Sequence, residues 1–245
     1  MPRPRAKSSS SIIPIFIVAA AISIWIYDAY KSGGSSSISE RPRAEETRKN
    51  TTPNDSPNAP NGKSSGSQSV RTGNYETYRN CTLVPDRPND GDSFRIKLPD
   101  GSAEIMRLYF VDCPESEFRS YGGGENNHER IEKQATEMGG ITPAQAVKIG
   151  KNAKEFTLAR LAENPFTVHT TWDSPFQDKR YHAFIELSYN GKTRFLHELL
   201  VEKGYARIHT KGAQLPNGTS ERKHEDHLYM LQTTAKSKNA GAWGF

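Results

Sequence analysis

The chain has 245 residues, 34% of them apolar, which is enough for one good core but too polar for a single compact body throughout. Its net charge of +5 sits entirely in residues 1–74, which hold ten Lys/Arg against five Asp/Glu, while residues 75–245 hold 23 of each. That distribution excludes a folded part that binds a polyanion through bulk charge; such binding would need local geometry or a metal.

Arg3, Arg5 and Lys7 precede the apolar run Ile12–Tyr27. Basic first and apolar next is an export signal. The run is a little longer than a cleaved apolar region and a little shorter than a span of about 20 residues. No small-x-small cleavage site follows, so residues 1–32 are expected to form an uncleaved signal anchor. A cleaved signal peptide, which would make the protein secreted, and a buried helix are the alternatives. Basic residues ahead of the run keep that end in the cytoplasm and put the rest outside, in a periplasmic or extracellular space. Residues 33–74 are rich in Ser, Gly, Asn and Pro and poor in large apolar residues. They cannot bury enough surface to offset their ordering entropy, and read as a disordered linker.

Residues 75–245 read as one folded domain. Tyr75 onwards has strand character, "DSFRIK" alternates Phe94 and Ile96 outward to Leu98, and Asp100-Gly101 turns the chain into "AEIMRLYFV". An insertion occupies roughly 116–141, Gly- and Asn-rich to about Asn127 and then polar and helical; it is expected to be a surface loop, with a cover over the site as the alternative. Thr142-Pro143 caps a helix over "PAQAVKIGKNAKEFTLARLAEN". "FTVHTTW" and "HAFIELSY" read as two further strands, with Asn190-Gly191 as a turn. A short helix ended by Gly204 and a final amphipathic helix to Trp243 complete the chain. Five strands interrupted by helices predict an α+β domain, mainly β: a five-stranded OB-type barrel with three packed helices. Cys81 and Cys113 permit one disulfide without demanding it, and two unpaired cysteines are expected.

The polar residues in this pattern carry the chemistry. Asp90-Gly91-Asp92 opens the second strand, Asp112 closes the third, and Pro114 fixes the chain before Glu115. Across a hairpin the start of one strand lies opposite the end of the next, so Asp92 and Asp112 meet at one end of the sheet. Clustered carboxylates need a cation, and hard oxygens favour Ca²⁺, Mg²⁺ or Mn²⁺. The plainer alternative is a turn at Asp90-Gly91 and a strand end at Asp112. Arg107 stands inside an apolar strand, where a charge is costly unless paired or at a barrel mouth. Strict alternation puts Arg107 and Asp112 on opposite faces, so aiming both at one site needs a bulge or a strong bend.

"DGDSFRI", Arg107 and "VDCPE" together resemble the family of staphylococcal nuclease, as do "GKNAKEFT", "HELLVEKGYARI" and "HEDHL" further on. The resemblance covers about Tyr75 to Trp243. It implies a metal-dependent nuclease that hydrolyses DNA and RNA phosphodiesters and leaves 3′-phosphates. It implies one Ca²⁺ (Mn²⁺ or Mg²⁺ less favoured), held by Asp92, Asp112 and the Cys113 carbonyl. Glu115 would be the general base, Arg107 would hold the scissile phosphate, and a second Arg would stabilise the charge of the transition state. Arg180 is selected for that role by counting back from Ala183, across a turn two residues shorter than the family's, with Lys179 as the alternative. The catalytic domain is expected to be monomeric, with nucleic acid as substrate and the membrane met through residues 12–27.

The chain departs from the pattern in other ways. Cys113 replaces a threonine. Thr210 and Gly212 stand where the family has nucleotide-flanking aromatics, for which Tyr181 is a partial substitute. His224 and His227, three apart on a helix, have ligand spacing but read as structural hydrogen-bonding residues. The alternative function is a catalytically inactive OB-fold module that binds nucleic acid or protein.

Overall fold

The computed structural model describes residues 69–175 and 177–245. The expected anchor at 12–27 and most of the expected linker lie outside them. No helix among the described residues is long and apolar enough to cross a membrane.

Among the described residues a strand precedes Tyr75. Strand β1 (Val70–Thr72) turns at Gly73-Asn74, where Gly73 has φ +61°, and pairs antiparallel with β2 (Tyr75–Leu83). β1 is exposed and short, so no apolar pattern announces it.

A mixed barrel follows. β3 (Ser93–Lys97) pairs antiparallel with β4 (Ala103–Leu108), β4 pairs parallel with β7 (Arg180–Tyr189), and β7 pairs antiparallel with β6 (Phe166–Thr170). β2 pairs with both β3 and β6, which closes five strands on themselves. In its walls and core, Phe94, Ile96, Met106, Leu108, Phe184 and Ile185 are fully buried. Period-two alternation explains β3, where Phe94 and Ile96 point in while Arg95 points out. β8 (Lys192–Phe195) is a hairpin arm folded back on β7 at Asn190-Gly191, whose φ values are +51° and +72°.

The helices are α1 (His128–Glu137), α2 (Pro143–Glu163), α3 (Leu196–Glu202) and α4 (Glu221–Ser237). Thr142 caps α2 in a reciprocal box with Gln145, and Pro143 takes the first turn. The buried side of α2 is made of small residues at the point that matters, Gly150 and Ala153. α3 ends at Gly204 (φ +65°), against which the C-terminal turn Gly241–Gly244 seats Trp243. Trp243 also lies over Gly139 and under the Lys236 ammonium, 4.5 Å from the ring, so it does anchor the end of the last helix. Cys81 and Cys113 are buried and unbonded.

The sequence predicted the barrel; the helix count needs correction. Four α-helices are present among the described residues, not three. The extra one, α1, arises within the segment expected to be a surface loop. Its Ile131 and Ala135 pack on Ala146 and Val147 of α2 in a small core of their own, and Met138 joins Ile149 and Ala242 in another. This apolar spacing holds α1 down, and it brings the polar face of α1 over one end of the barrel.

Candidate active site

The expected third strand over 103–111 is two strands with a corner between them. β4 stops at Leu108, Phe110 adopts φ +68°, and β5 (Val111–Asp112) resumes in a separate two-stranded pairing with β9 (Arg207–Ile208). Phe110 is buried between His197, His224 and Phe184, and the packing holds a backbone conformation that L-residues avoid. This corner breaks the alternation that would have put Arg107 and Asp112 on opposite faces. The Arg107 Nη2 donates to Asp112 Oδ1 at 3.1 Å.

Asp92 arrives from the other arm of the hairpin. Ser93 is paired with Arg107, and the Leu108 N–H donates to the Asp92 carbonyl at 2.9 Å. The Asp92 Oδ2 accepts from the Cys113 N–H at 2.8 Å and lies 4.0 Å from Arg107. Asp92 and Asp112 thus meet at one end of the sheet, as the hairpin requires. Asp90 is nearby, its Oδ2 at 3.5 Å from the Ser116 hydroxyl.

Asp112 is the centre of the cluster. Its Oδ1 accepts from Arg107 and from Arg130 Nη2 (3.0 Å); its Oδ2 accepts from Gln134 Nε2 (2.9 Å) and from Nε (2.9 Å) and Nη2 (2.8 Å) of Arg207. Glu115 Oε1 lies 3.0 Å from Arg130 Nε, and Arg207 Nη1 is also paired with Glu137. Gln134, with no exposure, donates to the Cys113 carbonyl at 3.1 Å and accepts from the Glu115 N–H at 3.1 Å. Burial works to raise the Asp112 pKa. Arg207, then Arg130, the Gln134 hydrogen bond and Arg107 outweigh it and hold the carboxyl below its usual range. Asp92 lacks that support. Burial pushes it up to about 6, opposed by Arg107 and reinforced by the Asp112 charge.

Sequence reasoning singled out Arg107, Asp112, Cys113, Glu115 and Asp92, and these lie together. It missed Arg130, Gln134 and Arg207. The first two are polar residues four apart on an otherwise hydrophilic helix, and Arg207 follows a helix end. Nothing local in the sequence marks any of the three as facing Asp112.

The described contacts do not bring Arg180 to the cluster. Its Nε donates to Asp178 Oδ2 at 2.7 Å, and its side chain is 41% exposed. The β4–β7 register sets it beside Ile105, two positions along the ladder from Arg107. Asp178 sits two residues before Arg180 and takes its guanidinium locally. Tyr181 stacks edge-on against Trp172 at 5.0 Å, and Thr210 bonds to the Leu108 and Val111 carbonyls rather than presenting an aromatic face.

The histidines are structural in this geometry. His197 and His224 meet Nε2 to Nε2 at 2.6 Å in the aromatic pocket around Phe110, with one necessarily donating and the other accepting. Burial lowers both pKa values, that of His224 to about 4. Glu198 completes a group of possible ligand atoms within 4.8 Å of one another, but it is committed to Arg194.

The comparison with known families matches the staphylococcal nuclease homologue model over residues 105–244. The chain belongs to that family. The matched span begins within β4 and takes in the Phe110 corner, α1 and the chain on to Gly244, but it leaves out Asp92, which precedes β3. A search of curated proteins found no significant match. Members of this nuclease family act on nucleic acids, and they typically use Ca²⁺.

Whether the residues present fit such an ion is decided by their lone pairs. Asp92, Asp112 and the Cys113 carbonyl are hard oxygens, the right kind of donor. Their arrangement does not fit one. Asp112 has about four lone-pair positions, and its two oxygens already receive five N–H contacts. The Cys113 carbonyl is taken by Gln134, and three guanidinium groups would surround a divalent cation.

Proposed function

We propose that this nuclease-homologue domain hydrolyses phosphodiester bonds of DNA and RNA. The observation that carries the reading is the meeting of Arg107 and Glu115 around Asp112 at one end of the barrel, in a chain of this family.

Arg107 is fixed by Asp112 through one Nη2 contact, which leaves other donors of its planar fork for a phosphate. Glu115 stands on the segment after Pro114, its side chain 20% exposed, so water reaches it. In the proposed reaction a water oxygen bonds to phosphorus while its proton passes to the Glu115 carboxylate. The bond from phosphorus to the 5′ oxygen breaks, and that oxygen takes a proton from solvent. The products are a 3′-phosphate and a 5′-hydroxyl, and Glu115 returns its proton to water. Asp112 holds the arginines in place; it does not act on the substrate. Ca²⁺, which the family resemblance brings to Asp92, Asp112 and Cys113, has no place in this arrangement, and no step here is routed through it.

The test is hydrolysis of labelled single-stranded DNA by the full-length protein. Glu115→Gln should lower the rate by about 10²–10⁴-fold with the melting temperature essentially unchanged. A folded Glu115→Gln protein that cuts as fast as the parent overturns the reading.

A further inference from the structure

Helix α1 does more than cover the barrel end. Arg130 and Gln134, one turn apart, both face the Asp112–Glu115 segment, and between them they engage every group on it that the family pattern assigns to a metal or a water. Gln134 has no exposure, and α1 is fastened to α2 by its own apolar contacts. Gln134 is therefore part of the packed interior, and α1 is not a lid resting on it.

The three arginines differ in what they have left to offer. Arg207 is 7% exposed, and all three of its guanidinium nitrogens are engaged, two with Asp112 and one with Glu137. Arg107 is 11% exposed. Arg130 is 49% exposed, and its described contacts use one N–H on Glu115 and one on Asp112. A guanidinium carries five N–H donors, so the remainder of the Arg130 fork faces solvent beside the general base.

We propose that Arg130 is a catalytic residue: its guanidinium stands between Asp112 and Glu115 in the position of a divalent cation, contacts the scissile phosphate, and lets this domain hydrolyse phosphodiesters without a metal ion. The inference rests on the phosphodiesterase reading above. It needs no new step. The same water adds to phosphorus, the same proton goes to Glu115, and the charge that gathers on the phosphoryl oxygens is met by Arg130 together with Arg107. Arg130 is held at both ends by carboxylates, which is the preorganisation such a role needs. Asp178 holds Arg180, the arginine that the family pattern selects, away from that task in the described contacts.

The experiment uses full-length protein stripped with EDTA. Single-stranded DNA hydrolysis is measured with EDTA present and with millimolar Ca²⁺, and melting temperature is followed in a parallel Ca²⁺ titration. Expected results are hydrolysis that survives EDTA, no rise in melting temperature with Ca²⁺, and a loss of about 10²–10³-fold in kcat for Arg130→Ala. Arg130→Lys should keep the fold and recover little, since an ammonium cannot bridge two carboxylates and a phosphate as a fork does. Arg95→Ala, on the barrel wall and ion-paired with Asp86 away from the cluster, serves as the control and should retain the parent rate. Abolition by EDTA with recovery in Ca²⁺ would overturn the inference while leaving the nuclease reading intact. So would a folded Arg130→Ala protein that keeps its rate while Arg180→Ala loses it. If the parent protein cuts under neither condition, the nuclease reading fails. The catalytic role of Arg130 falls with it, and the Ca²⁺ titration then decides only whether the cluster holds the ion.

Discussion

The Gln134 side chain bridges Asp112 to the backbone that follows it, donating to Asp112 Oδ2 and to the Cys113 carbonyl while accepting from the Glu115 N–H. One fully buried amide thus fixes three consecutive elements of the site. Gln134→Leu fills similar space but leaves a carboxylate oxygen, a carbonyl and an N–H one partner short. We expect it to cost about 2–4 kcal/mol, from net losses near 1 kcal/mol per bond and added desolvation. Urea denaturation measures it. A loss below about 0.5 kcal/mol would mean that water replaces the amide at no cost.

Asp112→Asn tests the anchor itself. The substitution removes the charge that three guanidinium groups share and sets like charges against one another inside the barrel end. Breaking a buried ion pair from one side typically costs about 3–5 kcal/mol, and we expect a drop of that size in unfolding free energy. If Asp112 were instead chiefly a metal ligand, neutralising it in EDTA would leave stability unchanged or raise it.

Gly150→Ala runs against helix propensity. Alanine is favoured over glycine within a helix by about 1 kcal/mol. At this position, however, a Cβ would run into the Pro114 and Glu115 carbonyls, closer than side chains ever approach backbone. We expect a net loss of about 1–3 kcal/mol, the usual range for overpacking, together with slower hydrolysis because Glu115 is displaced. A stabilised, fully active Gly150→Ala protein would show that α2 does not press on this segment as described.

The buried imidazole pair makes stability pH-dependent. The His224 pKa falls from an ordinary 6.5 to about 4 through burial and the neighbouring His227, and that of His197 is also held well below its ordinary value, through burial and then His224. The unfolded chain therefore binds more protons than the folded one between these values, and stability drops as pH is lowered from about 6.5 towards 4. Urea midpoints across that window should slope upward with pH, and His224→Gln should flatten the slope. Equal slopes in the two proteins would rule out the pair as the source.

The sequence revealed the elements whose pattern is local. The alternation of β3, the turn at Asp100-Gly101 and the cap at Thr142 each declare themselves within a few residues. So did the convergence of Asp92 and Asp112, because hairpin geometry alone brings them together. Alternation also exposed a conflict at Arg107 and Asp112, and the Phe110 corner is its resolution; no residue type there announces a positive φ. The role of α1 was not legible. Its apolar residues are few, and a helix bearing Arg130 and Gln134 reads as solvated until the surface beneath it is known. Arg207 was hidden for a different reason: β9 is two residues long, below the length at which a strand has a period.

The Asp112 carboxylate draws one partner from β4, two from α1 and one from β9, so the centre is assembled from chain separated by as much as 95 residues. Contacts of such span form late, after loop closure has been achieved elsewhere. During synthesis the barrel strand and the inserted helix emerge well before Arg207 does. A growing chain therefore carries Asp112 short of one of its three counter-ions, and the centre is among the last parts of the protein to be completed.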